Sequence, residues 1–199
     1  MNKLRTENIE PQYAETIKKI ICCFHDIFTL ETDPLPCINS TSHEIHPRQD
    51  KPINIKSYKS PECYKTEIQT QIKQMLDKEI IEHSDSLFNA PLWVVPKKAE
   101  SGKQKWRIVI DFKKLNEITD QNAYPLPNPD DIFHHLGNAK FFSALDLSSG
   151  FHQIPMHPDS KKYTAFSTPD GHFQYNRMPF ELKNAPVTFQ RLTQRNYRQ

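Results

Sequence analysis

The chain has 199 residues, enough for one good-sized domain or two small subdomains, and its hydrophobic share of 36% is low for a self-sufficient core. With 26 Lys and Arg against 24 Asp and Glu the formal charge is only +2, which excludes a globally basic nucleic-acid binder and makes any electrostatic footprint local. The longest early apolar run, Ile20 to Phe24, is too short for a signal core or a membrane span, and Cys22, Cys23, Cys37 and Cys63 lack the Cys-Xaa-Xaa-Cys spacing of a zinc site; free thiols in a reduced intracellular compartment are expected.

Residues 1 to about 30 are expected to carry one helix, because Ile17, Ile20, Ile21, Phe24, Ile27 and Phe28 recur at three- and four-residue spacings that gather on one face. Such a face needs a partner surface. From Glu31 to Pro61 the chain is rich in Pro, Ser, Thr, Asn and His without sustained periodicity, and reads as an extended connector lying along another surface. Ser60-Pro61-Glu62 then offers an N-cap, a first-turn proline and a first-turn acid to a helix in which Ile68, Ile72, Met75, Leu76 and Glu79-Ile80 keep helical spacing.

Leu92 to Val95 and Lys105 to Phe112 are strand candidates, joined through the turn signals Ala99-Glu100-Ser101-Gly102 into a hairpin. Alternation puts Trp106, Ile108, Ile110 and Phe112 on one face of the second strand and Arg107, Val109 and Asp111 on the other. The hairpin is basic: Lys97, Lys98, Lys103, Lys105 and Arg107 stand against Glu100 alone, flanked by Trp93 and Trp106. Taken by itself the run is either a solvated loop or a phosphate site. Asn128-Pro129-Asp130-Asp131 caps a short helix ending near Gly137, and a further hairpin is expected from Lys162 to Thr168, through Pro169-Asp170-Gly171-His172, to Phe173 to Met178.

Phe141-Phe142-Ser143-Ala144-Leu145-Asp146-Leu147 reads as an apolar strand that ends in a carboxylate, with Phe142 and Ala144 on the face of Asp146 and little water nearby. Asp146 is either a ligand-binding acid or a strand-end acid that caps the next turn through Ser148, Ser149 or Gly150. Phe151 fits ordinary core, and Lys113 and Asn116 fit a solvated surface.

The segments KWRIVIDFKKLNEIT, SALDLSSGFHQIPM and NRMPFELKNAPVTFQR resemble the reverse transcriptase of gypsy-type long-terminal-repeat retrotransposons, over roughly Phe28 to Leu192. The resemblance implies an α+β, right-hand polymerase (reverse transcriptase) fold with fingers plus an incomplete palm. Its parts would be an N-terminal helix and connector over 1–59, fingers with the basic hairpin over 60–120, a first palm segment over 121–153, the fingers return over 154–184 and a truncated palm segment over 185–199. No thumb, connection or ribonuclease H domain is expected within these residues.

Carried over residue by residue, LDLSSGFHQI resembles the first catalytic motif, which makes Asp146 the catalytic, metal-binding aspartate and Phe151 the aromatic gate against a ribose 2′ hydroxyl. Lys98, Lys97 and Arg107 fall where the fingers grip the incoming triphosphate; a guanidinium suits phosphate bidentately and a lysine adds a mobile charge. Lys113 and Asn116 fall where the family contacts the template. The implied cofactor is Mg2+, with Mn2+ as an alternative. The implied partners are an RNA or DNA template with primer, deoxynucleoside triphosphates and the remainder of a Pol polyprotein, with no membrane. The implied setting is the cytoplasmic retroelement particle, with the nucleus as an alternative.

Three departures stand out. Two divalent metals need at least two nearby carboxylates, and the family's Tyr-Xaa-Asp-Asp hairpin lies beyond the segment NAPVTFQR, whereas the chain ends at Gln199. The pair Asp130-Asp131 belongs to a helix cap and is no substitute. Glu181, in MPFELKNAP, replaces the glycine of the family's Met-Pro-Phe-Gly-Leu and brings bulk and negative charge toward a polyphosphate. The last residues, Leu192 to Gln199, also drift from the apolar helix of the pattern, as a frame change, a splice boundary or decay would produce. These residues alone are therefore expected to be inactive and marginally stable. A nucleic-acid-binding remnant and an interaction fragment that docks on another protein remain as alternatives.

Overall fold

The computed structural model of the chain describes residues 10–28, 33–57, 61–97, 105–137, 139–140, 142 and 144–197. Two compact units divide after Pro34. The first carries helix α1 (Pro11–Cys23), whose proline occupies the first turn, followed by a 3-10 turn at His25–Ile27. The expected helix is present, but it ends at Cys23, and Ile20, Phe24, Ile27 and Phe28 remain exposed.

The second unit is built around α2 (Lys65–Asp77), which places Ile68 and Ile72 in the core as their spacing requires. Pro61 opens a 3-10 turn, Glu62–Tyr64, that leads into this helix; the expected cap, Ser60, lies outside the described residues. The helix does not run on through Glu79-Ile80. Glu79 adopts a left-handed conformation (φ 53°), and the Ile80 and Glu79 amides bond back to Met75 and Leu76 carbonyls, each at 2.9 Å. This is a Schellman ending with a glutamate where glycine is usual, so no glycine announced the stop. The chain then enters β1 (Ile81–His83), a strand the periodicity concealed.

β4 (Phe166–Thr168) and β5 (Gly171–Tyr175) form the expected second hairpin, and β1 pairs antiparallel with β5 to give a sheet of order β1-β5-β4. The hairpin is shorter than expected because Pro158 opens α5 (Pro158–Lys161), and a 3-10 turn takes Lys162–Thr164. Phe112, Phe166 and Phe173 are each at most 2% exposed at the centre of the core. Burial of an aromatic side chain of this size stabilises by about 1.5–3 kcal/mol.

β2 (Leu92–Lys97) and β3 (Lys105–Ile110) form the basic hairpin in antiparallel register, with Val95 opposite Arg107 and Lys97 opposite Lys105. The other edge of β3 is closed by a side chain. Gln71 of α2 donates Nε2 to the Trp106 carbonyl at 2.8 Å and accepts the Ile108 amide at 3.0 Å, standing in for a neighbouring strand. Asp111 then accepts the Lys113 amide at 2.8 Å and starts α3 (Lys113–Ile118).

The connector does lie along a surface. His43 pairs with Met156, Pro47 with Thr119 and Asn54 with Asn89 through isolated bridges, and Ile45 enters the core. Arg48 adds an exposed ion pair to Asp120 at 2.7 Å. His43 is 1% exposed, with Nδ1 2.8 Å from the Thr188 hydroxyl of α6 (Ala185–Tyr197). Burial first, then the nearby His46, pulls its pKa down to about 4. Helix α6 runs through the segment whose sequence drifts, and seats Ala185, Val187 and Leu192 inward.

Asn128 caps α4 (Pro129–Leu136) as expected, its side chain accepting the Asp130 amide at 3.2 Å. The apolar run that follows departs from expectation. Phe142 and residues 144–147 belong to no strand, and Phe142, Leu145 and Leu147 are exposed. A strand exists only where a ladder partner satisfies its amides and carbonyls, and neither sheet of the described residues reaches this segment.

Candidate functional site

Four side-chain-bearing segments meet beside β3. Arg107 is exposed and lines a cleft of about 260 Å³ with Gln71, Phe112, His152, Phe180 and Glu181 among its walls. Along β3 Ile110 is buried and Ile108 packs against the core, while Arg107 is exposed. A contiguous cleft of about 400 Å³, sharing Phe112 and Glu181, is lined by Asp111, Lys113, Asn116, Glu117 and Lys183. Of the residues singled out in the sequence, the structure puts Arg107 and Glu181 on the first cleft and Lys113, Asn116 and Glu181 on the second. Sequence reasoning missed Phe180, His152 and Lys183, although MPFELKN and GFHQI contain them.

The wall facing Arg107 is a turn whose shape follows from alternating burial. Met178 and Pro179 are buried, Phe180 and Glu181 are exposed, and Leu182 returns to the core. Within this turn Glu181 takes the left-handed conformation, with φ 70°. The glycine expected at this position therefore has a backbone reason as well as an electrostatic one. Glu181 puts a carboxylate side chain on the lining of both clefts.

Phe151 lies in a 3-10 turn, Gly150–Gln153, that Ser149 enters with φ 49°. Its ring stacks on Phe180 at 5.3 Å and tilts against Phe189 at 5.4 Å, so it is half-buried behind the cleft wall. Packing is tight at Gly150, where a Cβ would meet the Phe189 ring at 3.0 Å and the ring would have to give by a few tenths of an ångström. His152 is edge-on to Phe180, with Nδ1 3.1 Å from the Met178 carbonyl. Burial lowers its pKa, the Met178 carbonyl works against that, and the Arg177 charge lowers it further, so the cleft presents a neutral imidazole at pH 7.

Asp146 stands apart from both clefts. Its carboxylate is exposed rather than sheltered from water, and it accepts no hydrogen bond from Ser148, Ser149 or Gly150, so the capping alternative finds no support. Lys97, exposed at the end of β2, is outside the lining of either cleft, and Lys98 lies outside the described residues. No group of three His, Cys, Asp or Glu side chains able to hold a metal occurs among the described residues. Asp146 fits one ligand of a divalent cation, but the described residues do not form a two-metal centre. All four cysteines are exposed free thiols, and no helix of the described residues is long and apolar enough to cross a membrane.

The profile of the family described as "Reverse transcriptase (RNA-dependent DNA polymerase)" matches residues 95–199. The retrovirus-related Pol polyprotein from transposon 297 of Drosophila melanogaster is 40% identical over 96% of this chain, which spans 18% of that protein. The Pol polyprotein from transposon gypsy of the same fly is 37% identical over 82% of the chain, which spans 16% of it. Among solved structures, foamy viral protease-reverse transcriptase in complex with an RNA/DNA hybrid superposes on 94% of this chain with a TM-score of 0.76, at 21% identity and over 25% of its own length, which establishes the α+β reverse transcriptase fold. The chain spans less than a fifth of the length of these polyproteins, and it belongs to the reverse transcriptase family.

Proposed function

We propose that these residues supply the nucleotide-binding and template-facing part of an RNA-directed DNA polymerase that copies a retrotransposon by nucleotidyl transfer. The observation that carries this reading is the convergence of Arg107, Phe180 and Glu181 on one cleft with Phe151 stacked directly behind it. Arg107 grips the triphosphate of the incoming deoxynucleotide bidentately, and Lys97 and Lys98 add mobile positive charge from the hairpin. Phe151, held through Phe180 and Phe189, fixes how closely a sugar approaches and so excludes a 2′ hydroxyl. Lys113 faces the template from the adjoining cleft.

Magnesium, or manganese in its place, would neutralise phosphate charge in a two-metal reaction. Asp146 is proposed as one ligand, and a two-metal site needs at least one further carboxylate beside it. The partners follow from this role: primer with an RNA or DNA template, deoxynucleoside triphosphates and the remainder of a Pol polyprotein, in a cytoplasmic retroelement particle or the nucleus. The fingers and palm divisions at 60–120, 121–153, 154–184 and 185–199 belong to the same proposal.

Two measurements test it. Lys98→Ala combined with Arg107→Ala should weaken binding of a deoxynucleoside triphosphate, and unchanged affinity would remove the fingers assignment. The isolated chain should not extend a primer, because one carboxylate does not position two metals. Incorporation of labelled nucleotide that disappears in Asp146→Ala would overturn that part. A second reading, a surface that docks another protein, is favoured by the exposed side chains of Ile132, Phe133, Phe142, Leu145 and Leu147. Comigration with a protein partner in the absence of any nucleic-acid affinity would select it.

A further inference from the structure

The turn that carries Phe180 and Glu181 is clamped by a side chain of α3. Asn116 of α3 donates Nδ2 to the Glu181 carbonyl at 2.7 Å and accepts the Lys183 amide on Oδ1 at 2.8 Å. A carboxamide offers a donor and an acceptor side by side, and here they meet a carbonyl and an amide two residues apart, as a neighbouring strand would. Around it, the Lys183 ammonium donates to the Thr119 carbonyl at 3.1 Å, and Asn184 donates to the Asp120 carbonyl at 2.8 Å and accepts the Asn122 amide at 3.1 Å. The end of α3 and the segment after it therefore fasten the turn at several points. Among the described residues, Asn116 alone engages the backbone of the left-handed residue itself.

From this arrangement we infer that Asn116 is a positioning residue for the cleft. Its amide holds Glu181 in the left-handed conformation and so fixes where Phe180 and Glu181 stand opposite Arg107. This replaces the template contact that the family resemblance implies for Asn116, because both polar ends of its side chain are engaged within the chain. A strained backbone persists only where its surroundings over-determine it, and Asn116 is the group that does so here. The link to nucleotide binding rests on the proposed function; the clamp on the turn does not.

The test uses the 199-residue chain in five forms: wild type, Asn116→Ala, Asn116→Asp, Glu181→Gly and Asn116→Ala with Glu181→Gly. Amide exchange at Lys183 reads the clamp directly. In Asn116→Ala it should accelerate about fivefold or more, the factor for loss of one net hydrogen bond. Affinity for a fluorescent deoxyadenosine triphosphate analogue with Mg2+ should fall about tenfold, with affinity for an RNA/DNA primer-template changed less than about twofold. Glycine at 181 should restore most of the nucleotide affinity, since it reaches the left-handed conformation without the clamp. A general loss of stability would not be rescued in this way. Asn116→Asp keeps the acceptor for Lys183 and loses the donor to Glu181, so it should retain Lys183 protection while losing nucleotide affinity, and it serves if the alanine variant does not fold. Unchanged Lys183 exchange in Asn116→Ala would overturn the clamp. Loss of primer-template affinity with nucleotide affinity intact would restore the template contact. If the wild-type chain binds no nucleotide, the proposed function fails while Lys183 exchange still decides whether Asn116 holds the turn.

Discussion

Replacing Glu181 with glycine should stabilise the chain, although most substitutions in a folded protein do the reverse. Glu181 sits at φ 70°, where a side chain crowds its own backbone at a cost of about 1–2 kcal/mol. Glycine removes that crowding but adds freedom to the unfolded chain, which offsets about 0.5–1 kcal/mol. The glutamate side chain is exposed, so little packing is lost. A net gain of about 0–1.5 kcal/mol remains, which for a chain of this size raises Tm by up to about 6 °C. Calorimetry and urea midpoints would measure it, with two controls that separate conformation from charge. Glu181→Ala keeps the unfavourable backbone and should gain nothing, while Glu181→Gln removes the charge and should also stay near wild type. A glycine variant that melts below wild type, or an alanine variant that gains as much, would refute the backbone argument.

Other consequences are equally open to measurement. His43 has a folded pKa of about 4 against an ordinary 6.5, so the unfolded state binds its proton first and stability falls as pH drops through that interval. Urea unfolding should show about 2 kcal/mol lost between pH 7.5 and 5, with His152 acting in the same direction, and His43→Gln should reduce the loss; a flat profile would contradict the buried neutral imidazole. Gln71→Leu strands the Trp106 carbonyl and the Ile108 amide and should cost about 1–3 kcal/mol, with faster exchange at Ile108; an unchanged denaturation midpoint would show that water replaces the clamp. Phe133 at 69%, Phe142 at 67% and Leu145 at 76% exposure leave apolar surface uncovered, so the isolated chain should bind a hydrophobic dye and melt below about 50 °C; a cooperative transition well above that, without dye binding, would count against it.

Elements governed by local patterns were legible in the sequence. Ile68 and Ile72 located α2, the alternation from Trp106 to Ile110 set the faces of β3, and Asn128-Pro129 marked the start of α4. What escaped depended on contacts between distant residues or on an unusual residue in a familiar role. β1 was hidden because Glu79 ends α2 in a left-handed conformation without a glycine to signal it. The run around Asp146 has strand composition, yet pairing is a property of two segments, and the described residues supply no partner. Burial of His43 and Ile45 could not be read from a proline-rich connector, because both meet residues more than a hundred positions away, His43 through its bridge to Met156 and Ile45 through its amide on the Ser160 hydroxyl. At the site, Arg107 followed from alternation, whereas Phe180 and His152 join it only through the fold of the 178–182 turn. Asn116 was legible as a polar position, but its two backbone partners lie beyond the reach of any spacing rule.

The central claim is that these residues form the nucleic-acid-facing part of a reverse transcriptase, and it is tested most directly by fluorescence anisotropy on an RNA/DNA primer-template across a salt series. Binding should be measurable at low salt and should fall linearly on a logarithmic scale as salt rises, because lysine and arginine displace counterions from phosphates. Replacing Lys97 and Arg107 together with alanine should reduce the slope by about one to two. No binding at low salt, or a slope and affinity unchanged by the double substitution, would contradict the account.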